Sequence, residues 1–181
     1  MDGAPPTRGN EVGRVSEDAE PGPSLLVLRA LPAGVRRESA VRLLLGAGRT
    51  EEFVRASCEE GQVLGLAALD GDSHDGPVGA LVSVPTGAGR TAEVRILALA
   101  PGPSVGGALL SQFADSLRAD GLERVVVPAS GAELGLIGLL VGAGYRFLHV
   151  ERDGCTPARG FAGDGDPHNP HRDLVWLELE L

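Results

Sequence analysis

The chain has 181 residues, a formal net charge of −9 and an apolar share of 43%. That length suits one domain with tails, and the apolar share excludes wholesale disorder. The acidic balance argues against a nucleic-acid ligand, because phosphate binding relies on clustered cations; it favours cationic or amine substrates weakly.

Residues 1–23 hold Pro5, Pro6, Pro21 and Pro23 with almost no apolar periodicity, and read as a flexible leader. The folded domain is expected over 24–181. Leu25 to Leu31 form a short apolar run suited to a strand. Val35, Val41, Leu44 and Leu45 give a helical stripe up to Gly46. Thr50, followed by Glu51 and Glu52, reads as the N-cap of a second helix with acidic first-turn residues, and Gly61 stops it. Three strands are predicted next, at Val63 to Leu69, Val78 to Val84 and Ala92 to Leu99. The turn-rich segments between them favour an antiparallel meander.

The period then changes. Val105, Leu109, Phe113 and Leu117 lie four apart and predict an amphipathic helix ending near Gly121. Val125-Val126-Val127 reads as a buried parallel strand. Leu134, Ile137, Leu140 and Val141 mark a further helix closing at Gly144. Tyr145 to Val150 and Leu174 to Leu181 read as the last two strands. A strand–helix–strand unit demands a parallel crossover, so the expected fold is α/β (α+β): a mixed, mostly antiparallel central sheet of about seven strands with flanking helices.

Two cysteines, Cys58 and Cys155, make no disulfide framework. No apolar run approaches the roughly 20 residues of a membrane helix, and the N-terminus lacks the order of a secretory signal. A reduced, cytoplasmic setting without a membrane partner is expected.

The order of elements is similar to the GNAT superfamily of N-acetyltransferases, and local sequence supports the resemblance. Ala92 to Pro101 looks like that family's fourth strand, an apolar run closed by Pro. Val105-Gly106-Gly107-Ala108-Leu109-Leu110 looks like the end of its pyrophosphate loop and the start of the next helix. Gly144-Tyr145-Arg146-Phe147 resembles the Gly-Phe that opens the penultimate strand, and Arg172-Asp173-Leu174 resembles the lead into the last one. The resemblance covers about residues 24–181 and implies acetyl-CoA as co-substrate, a small-molecule or peptide amine as acceptor, and a bacterial protein. It is also compatible with a homodimer.

The resemblance implies a site as well. Unpaired N–H groups at a helix N-terminus bind phosphate, which assigns Ser104, Val105, Gly106, Gly107 and Ala108 to the pyrophosphate. The loop is shorter than the family's and has no Arg or Gln in the equivalent place. That omission removes a charge-assisted contact worth roughly 1.5–3 kcal/mol. In the family the fourth strand parts from the fifth and makes a slot for the pantetheine arm. Here that assigns the backbone of Leu97, Ala98 and Leu99. Glu93 is the expected general base, taking a proton from the incoming ammonium directly or through water. The family's Tyr and Asn fall on Leu140 and Glu133. The alternative is therefore a GNAT-like protein that binds acyl-CoA without turnover.

Tyr145 is expected in the core, and His149 in the core or on a strand surface. The long segment from Asp153 to His171 is a candidate acceptor-site lid. Its Cys155, His168 and His171 lack paired metal-ligand spacing, so no metal is expected.

Overall fold

The computed structural model describes residues 25–69, 76–87, 89–101, 105–162 and 172–181. The leader expected at 1–23, Ser104, His168 and His171 lie outside the described residues. Strand β1 (Leu26–Ala30) precedes helices α1 (Val35–Leu45) and α2 (Glu51–Glu60). Strands β2 (Gln62–Ala68), β3 (Gly79–Pro85) and β4 (Thr91–Leu99) follow. Next come α3 (Val105–Ala119), β5 (Arg124–Ser130), α4 (Leu134–Gly142), β6 (Arg146–Glu151) and β7 (Leu174–Glu180). The expected order of elements is the observed one. The fifth strand is longer than its Val125–Val127 centre suggested, because Pro128 to Ser130 continue its ladder with β7.

The seven strands form one sheet in the order β1-β2-β3-β4-β5-β7-β6. Neighbours are antiparallel except β4 and β5, which are parallel and joined through α3. One face carries α3 and α4, whose Leu109, Leu110, Phe113 and Leu140 pack on Val94, Val125 and Val127. The other carries α1 and α2, whose Val41, Leu44, Val54 and Cys58 pack on Val63, Val82 and Ile96. No helix among the described residues is long and apolar enough to cross a membrane.

Local chemistry explains the helix boundaries. Thr50 Oγ1 accepts a hydrogen bond from the Phe53 N–H at 3.4 Å, the N-cap expected for α2. Gly61 ends α2 for a steric reason rather than a left-handed cap: its backbone is extended, and a Cβ there would sit 2.7 Å from the Ser83 carbonyl oxygen. The free edge of β1 is tied to α3 by Gln112. Its Oε1 accepts from the Leu28 N–H at 2.8 Å, and its Nε2 donates to the Leu26 carbonyl at 2.9 Å. Gln112→Ala removes both bonds and is expected to cost about 1–2 kcal/mol in denaturant unfolding.

Strand β4 changes face in mid-course. Val82 pairs with Ile96 but Ser83 pairs with Val94, so Arg95 is the extra residue of a bulge. Ala92 and Val94 accordingly enter the core beneath α3 and α4, whereas Ile96 and Ala98 enter the core beneath α1 and α2. An unbroken strand would have kept all four on one side.

Candidate functional site

The bulge coincides with the end of the pairing between β4 and β5. These strands share rungs at Thr91–Arg124, Ala92–Val125 and Glu93–Val126, and none beyond, although β4 runs on to Leu99 and β5 to Ser130. On the β5 side, Pro128 has no N–H to donate to a neighbour. The strands therefore part, and among the described residues the edge of β4 beyond Glu93 that faces β5 has no strand partner. Backbone donors and acceptors left in this way require another partner.

Clefts open on both sides of the divergence. The first, of about 440 Å³, is lined by Leu97, Ala98 and Leu99 of β4, Ala47 after α1, and Leu136 and Leu139 of α4. The second, of about 530 Å³, is lined by Glu93 and Arg95 of β4, Phe53 of α2, Arg49, Arg159 and Phe161. A narrow gap of about 10 Å³ shares Arg49, Arg95 and Pro128 with the second cleft, and Ala47, Leu97, Glu133 and Leu136 with the first.

Arg49 stands in that gap. Its guanidinium donates to Glu133 Oε2 at 3.1 Å and stacks on the Phe161 ring at 3.7 Å. The side chain is only 7% exposed. Glu133 Oε2 also accepts the Ser130 N–H at 2.6 Å, which fixes the turn from β5 into α4.

Residues 152–162 cover the second cleft from the β6–β7 side. The Thr50 N–H donates to the Gly160 carbonyl at 2.7 Å, so this segment is pinned to the start of α2. Arg159, in a 3₁₀ turn over Pro157–Arg159, donates to Glu151 Oε2 at 3.1 Å and lies 5.0 Å above the Trp176 ring.

The sequence-derived site residues separate into distinct places. Glu93 lines the second cleft, half-buried, and has no ion-pair partner among the described residues. Leu97, Ala98 and Leu99 line the first cleft. Val105, Gly106, Gly107 and Ala108 form the first turn of α3. The two glycines there have different duties. A Cβ on Gly106 would meet Leu139 at 2.7 Å and Leu99 at 3.0 Å, so this glycine lets α3 pack against α4 and β4. Gly107 is exposed, and among the described residues nothing lies within 4 Å of a Cβ there.

Leu140 is wholly buried in the core. Tyr145 is buried as well; burial pushes its pKa up, and its hydroxyl has no partner among the described residues. His149 lies on exposed β6, stacked on Trp176 with 5.8 Å between ring centroids, away from both clefts. Burial likewise pushes the Cys155 thiol up, against the opposing influence of Ser130 and Arg49, and Sγ donates to the Asp173 carbonyl at 3.4 Å. A protonated, hydrogen-bonded thiol is a poor nucleophile. Among the described residues no group of His, Cys, Asp and Glu is arranged to hold a metal. Sequence reasoning missed Arg49 and Arg95, which carry no local motif.

No protein-family model matches the chain, and no curated protein matches it in sequence. Solved structures do match it in shape. An acetyltransferase of Bacillus subtilis, solved in complex with CoA, superposes with a TM-score of 0.70 at 20% identity, over 87% of this chain and 99% of that one. A GNAT family acetyltransferase from Elizabethkingia anophelis, with acetyl-CoA bound, gives 0.66 at 19% identity, over 86% and 98%. The ribosomal-protein-S18-alanine N-acetyltransferase of Escherichia coli gives 0.63 at 15% identity, over 86% and 94%. The chain has the GNAT fold.

Proposed function

We propose that this protein is an N-acetyltransferase that moves an acetyl group from acetyl-CoA to a primary amine. The observation that carries the reading is the parting of β4 and β5 immediately after Glu93, with a cleft on either side. The donor's arm lies along the unpaired edge of β4 at Leu97 to Leu99, and its amide groups supply the hydrogen bonds that β5 does not. Its phosphates meet the N-terminus of α3, where Gly107 leaves the backbone accessible. The acceptor enters the second cleft. Glu93 takes the ammonium proton directly or through water, and the freed amine attacks the thioester carbonyl. A C–N bond forms and the C–S bond breaks; the proton that the nitrogen sheds on becoming an amide passes through water to the thiolate. Backbone N–H groups along the open edge stabilise the oxyanion.

Gly107→Val is expected to raise the KM for acetyl-CoA tenfold or more with little change in melting temperature. Gly106→Val should instead destabilise the fold by about 1–3 kcal/mol. Kinetics and thermal unfolding of the two variants separate these roles. The soft apolar surface of edge strand β6, with Phe147, Leu148 and Val150 exposed, supports the homodimer reading, which sedimentation would test.

The second reading, a GNAT-like protein that binds acyl-CoA without turnover, is favoured by one observation. Leu140 is sealed in the core and Glu133 is engaged with Arg49 and Ser130, so neither offers a proton to the thiolate. Thiol release from acetyl-CoA over a panel of primary amines decides between the two. Turnover supports the enzyme; stabilisation by acetyl-CoA with no thiol release for any amine supports the binding protein.

A further inference from the structure

The second cleft gathers arginines in a chain whose overall composition is acidic. Arg49 comes from the loop before α2, Arg95 is the bulge residue of β4, and Arg159 sits in the 3₁₀ turn of the β6–β7 segment. Three distant parts of a chain with net charge −9 thus place three guanidinium groups around one cavity, whose lining also holds the carboxylates of Glu60 and Glu93. Each arginine is held in place by an acid: Arg49 by Glu133, Arg95 by Glu60, and Arg159 by Glu151.

Arg49 carries the argument furthest. A guanidinium has five N–H donors, and Arg49 uses one hydrogen bond among the described residues, to Glu133. Its side chain is nevertheless 7% exposed, and Phe161 covers its face. With Glu133 already balancing its charge, Arg49 still lines both the gap and the second cleft, and its remaining donors can serve an acceptor group that enters there. A planar carboxylate accepts two parallel N–H bonds from such a fork. Glu93, the one carboxylate of this lining without an ion-pair partner among the described residues, is left to receive an ammonium. Phe53, Ala56 and Ala158 add apolar surface to the same lining.

We infer that the acceptor of the acetyltransferase proposed above is an amine that also bears a carboxylate and an apolar side chain, that is, a free amino acid. A polyamine has no carboxylate to take up the remaining arginine donors. A peptide N-terminus would offer them a neutral amide in place of the carboxylate. The inference rests on the acetyltransferase reading for the word acceptor, but the preference for a carboxylate is a property of the cleft itself.

Calorimetric titration of the protein with CoA present tests binding apart from turnover. The probes are L-leucine, L-methionine and L-phenylalanine, the amide of each, and spermidine. At least one amino acid should bind tenfold or more tightly than its amide, with spermidine weaker still. Arg49→Met should erase that preference while amide binding stays within twofold. Arg159→Gln, at a half-exposed side chain, should reduce the preference threefold or more, and it keeps the test valid if the Arg49 variant fails to fold. Equal or tighter binding of the amides or of spermidine overturns the inference, as does no binding of any of the three amino acids at millimolar concentration. A carboxylate preference without thiol release from acetyl-CoA leaves the inference standing and removes the acetyltransferase reading. Thiol release with amides and amino acids alike does the reverse.

Discussion

Glu93→Gln is expected to lower the rate of acetyl transfer by about 10²–10⁴-fold, the usual contribution of one general base, while stabilisation by acetyl-CoA stays unchanged. The position explains the size of the effect. Glu93 belongs to the last rung shared by β4 and β5, opposite Val126, so its backbone is held by β3 on one side and β5 on the other. Its side chain reaches the second cleft at the point where the strands begin to part. In the proposed role, a base so fixed would lose little entropy in reaching its proton. Glutamine keeps the shape and the polarity and removes only the basic oxygen. Steady-state kinetics with a saturating amine, alongside melting curves with acetyl-CoA, measure both halves of the expectation. Wild-type activity in the variant would take Glu93 out of the mechanism.

Gly160→Val should both destabilise the protein and loosen the cleft proposed for the acceptor. Gly160 has φ of +78°, a left-handed conformation that a β-branched residue adopts only under strain. A Cβ at that point would lie 2.4 Å from the Phe53 ring. The Gly160 carbonyl also receives the Thr50 N–H that pins the β6–β7 segment to α2. Strain and overlap together are expected to cost about 2–4 kcal/mol, lowering the melting temperature by about 5–15 °C. Arg159 and Phe161 flank the displaced residue, so the KM for the acceptor should rise while that for acetyl-CoA holds. Gly87→Ala is the control, since nothing lies within 4 Å of a Cβ there and its φ is not positive; it should leave both quantities unchanged.

The order of elements was legible because each announces itself locally. Four-residue spacing from Val105 to Leu117 buries one face of α3, and the alternation of Leu177, Leu179 and Leu181 with glutamates marks β7. Thr50 and the acids after it mark the start of α2. The change of face in β4 was not legible. Ala92, Val94, Ile96 and Ala98 read as one continuous stripe, and only the register against β3 makes Arg95 the extra residue. Pro128 was a signal available in the sequence, because a strand that must pair on both sides cannot spare its N–H there.

The site divides in the same way. Glu93 and the Leu97–Leu99 strand end were assigned through a resemblance that follows the chain in order. Arg49, Arg95 and Arg159 meet only in three dimensions, so no linear motif joins them. Gly106 and Gly107 look equivalent as letters and differ once packed: one is pressed against Leu139 and Leu99, the other stands open. The fully apolar core position of Leu140 explains why restoring a Tyr there would not restore a proton donor. Overpacking of this kind costs about 1–3 kcal/mol.

The central claim is that the unpaired edge of β4 receives the arm of acetyl-CoA. Amide hydrogen exchange over Val94 to Leu99, with and without saturating acetyl-CoA, tests it most directly. Edge amides without a strand partner exchange readily in the free protein and should slow by tenfold or more on binding, whereas the amides of β1 should slow little. Unchanged exchange over Val94 to Leu99 at millimolar acetyl-CoA would contradict the account.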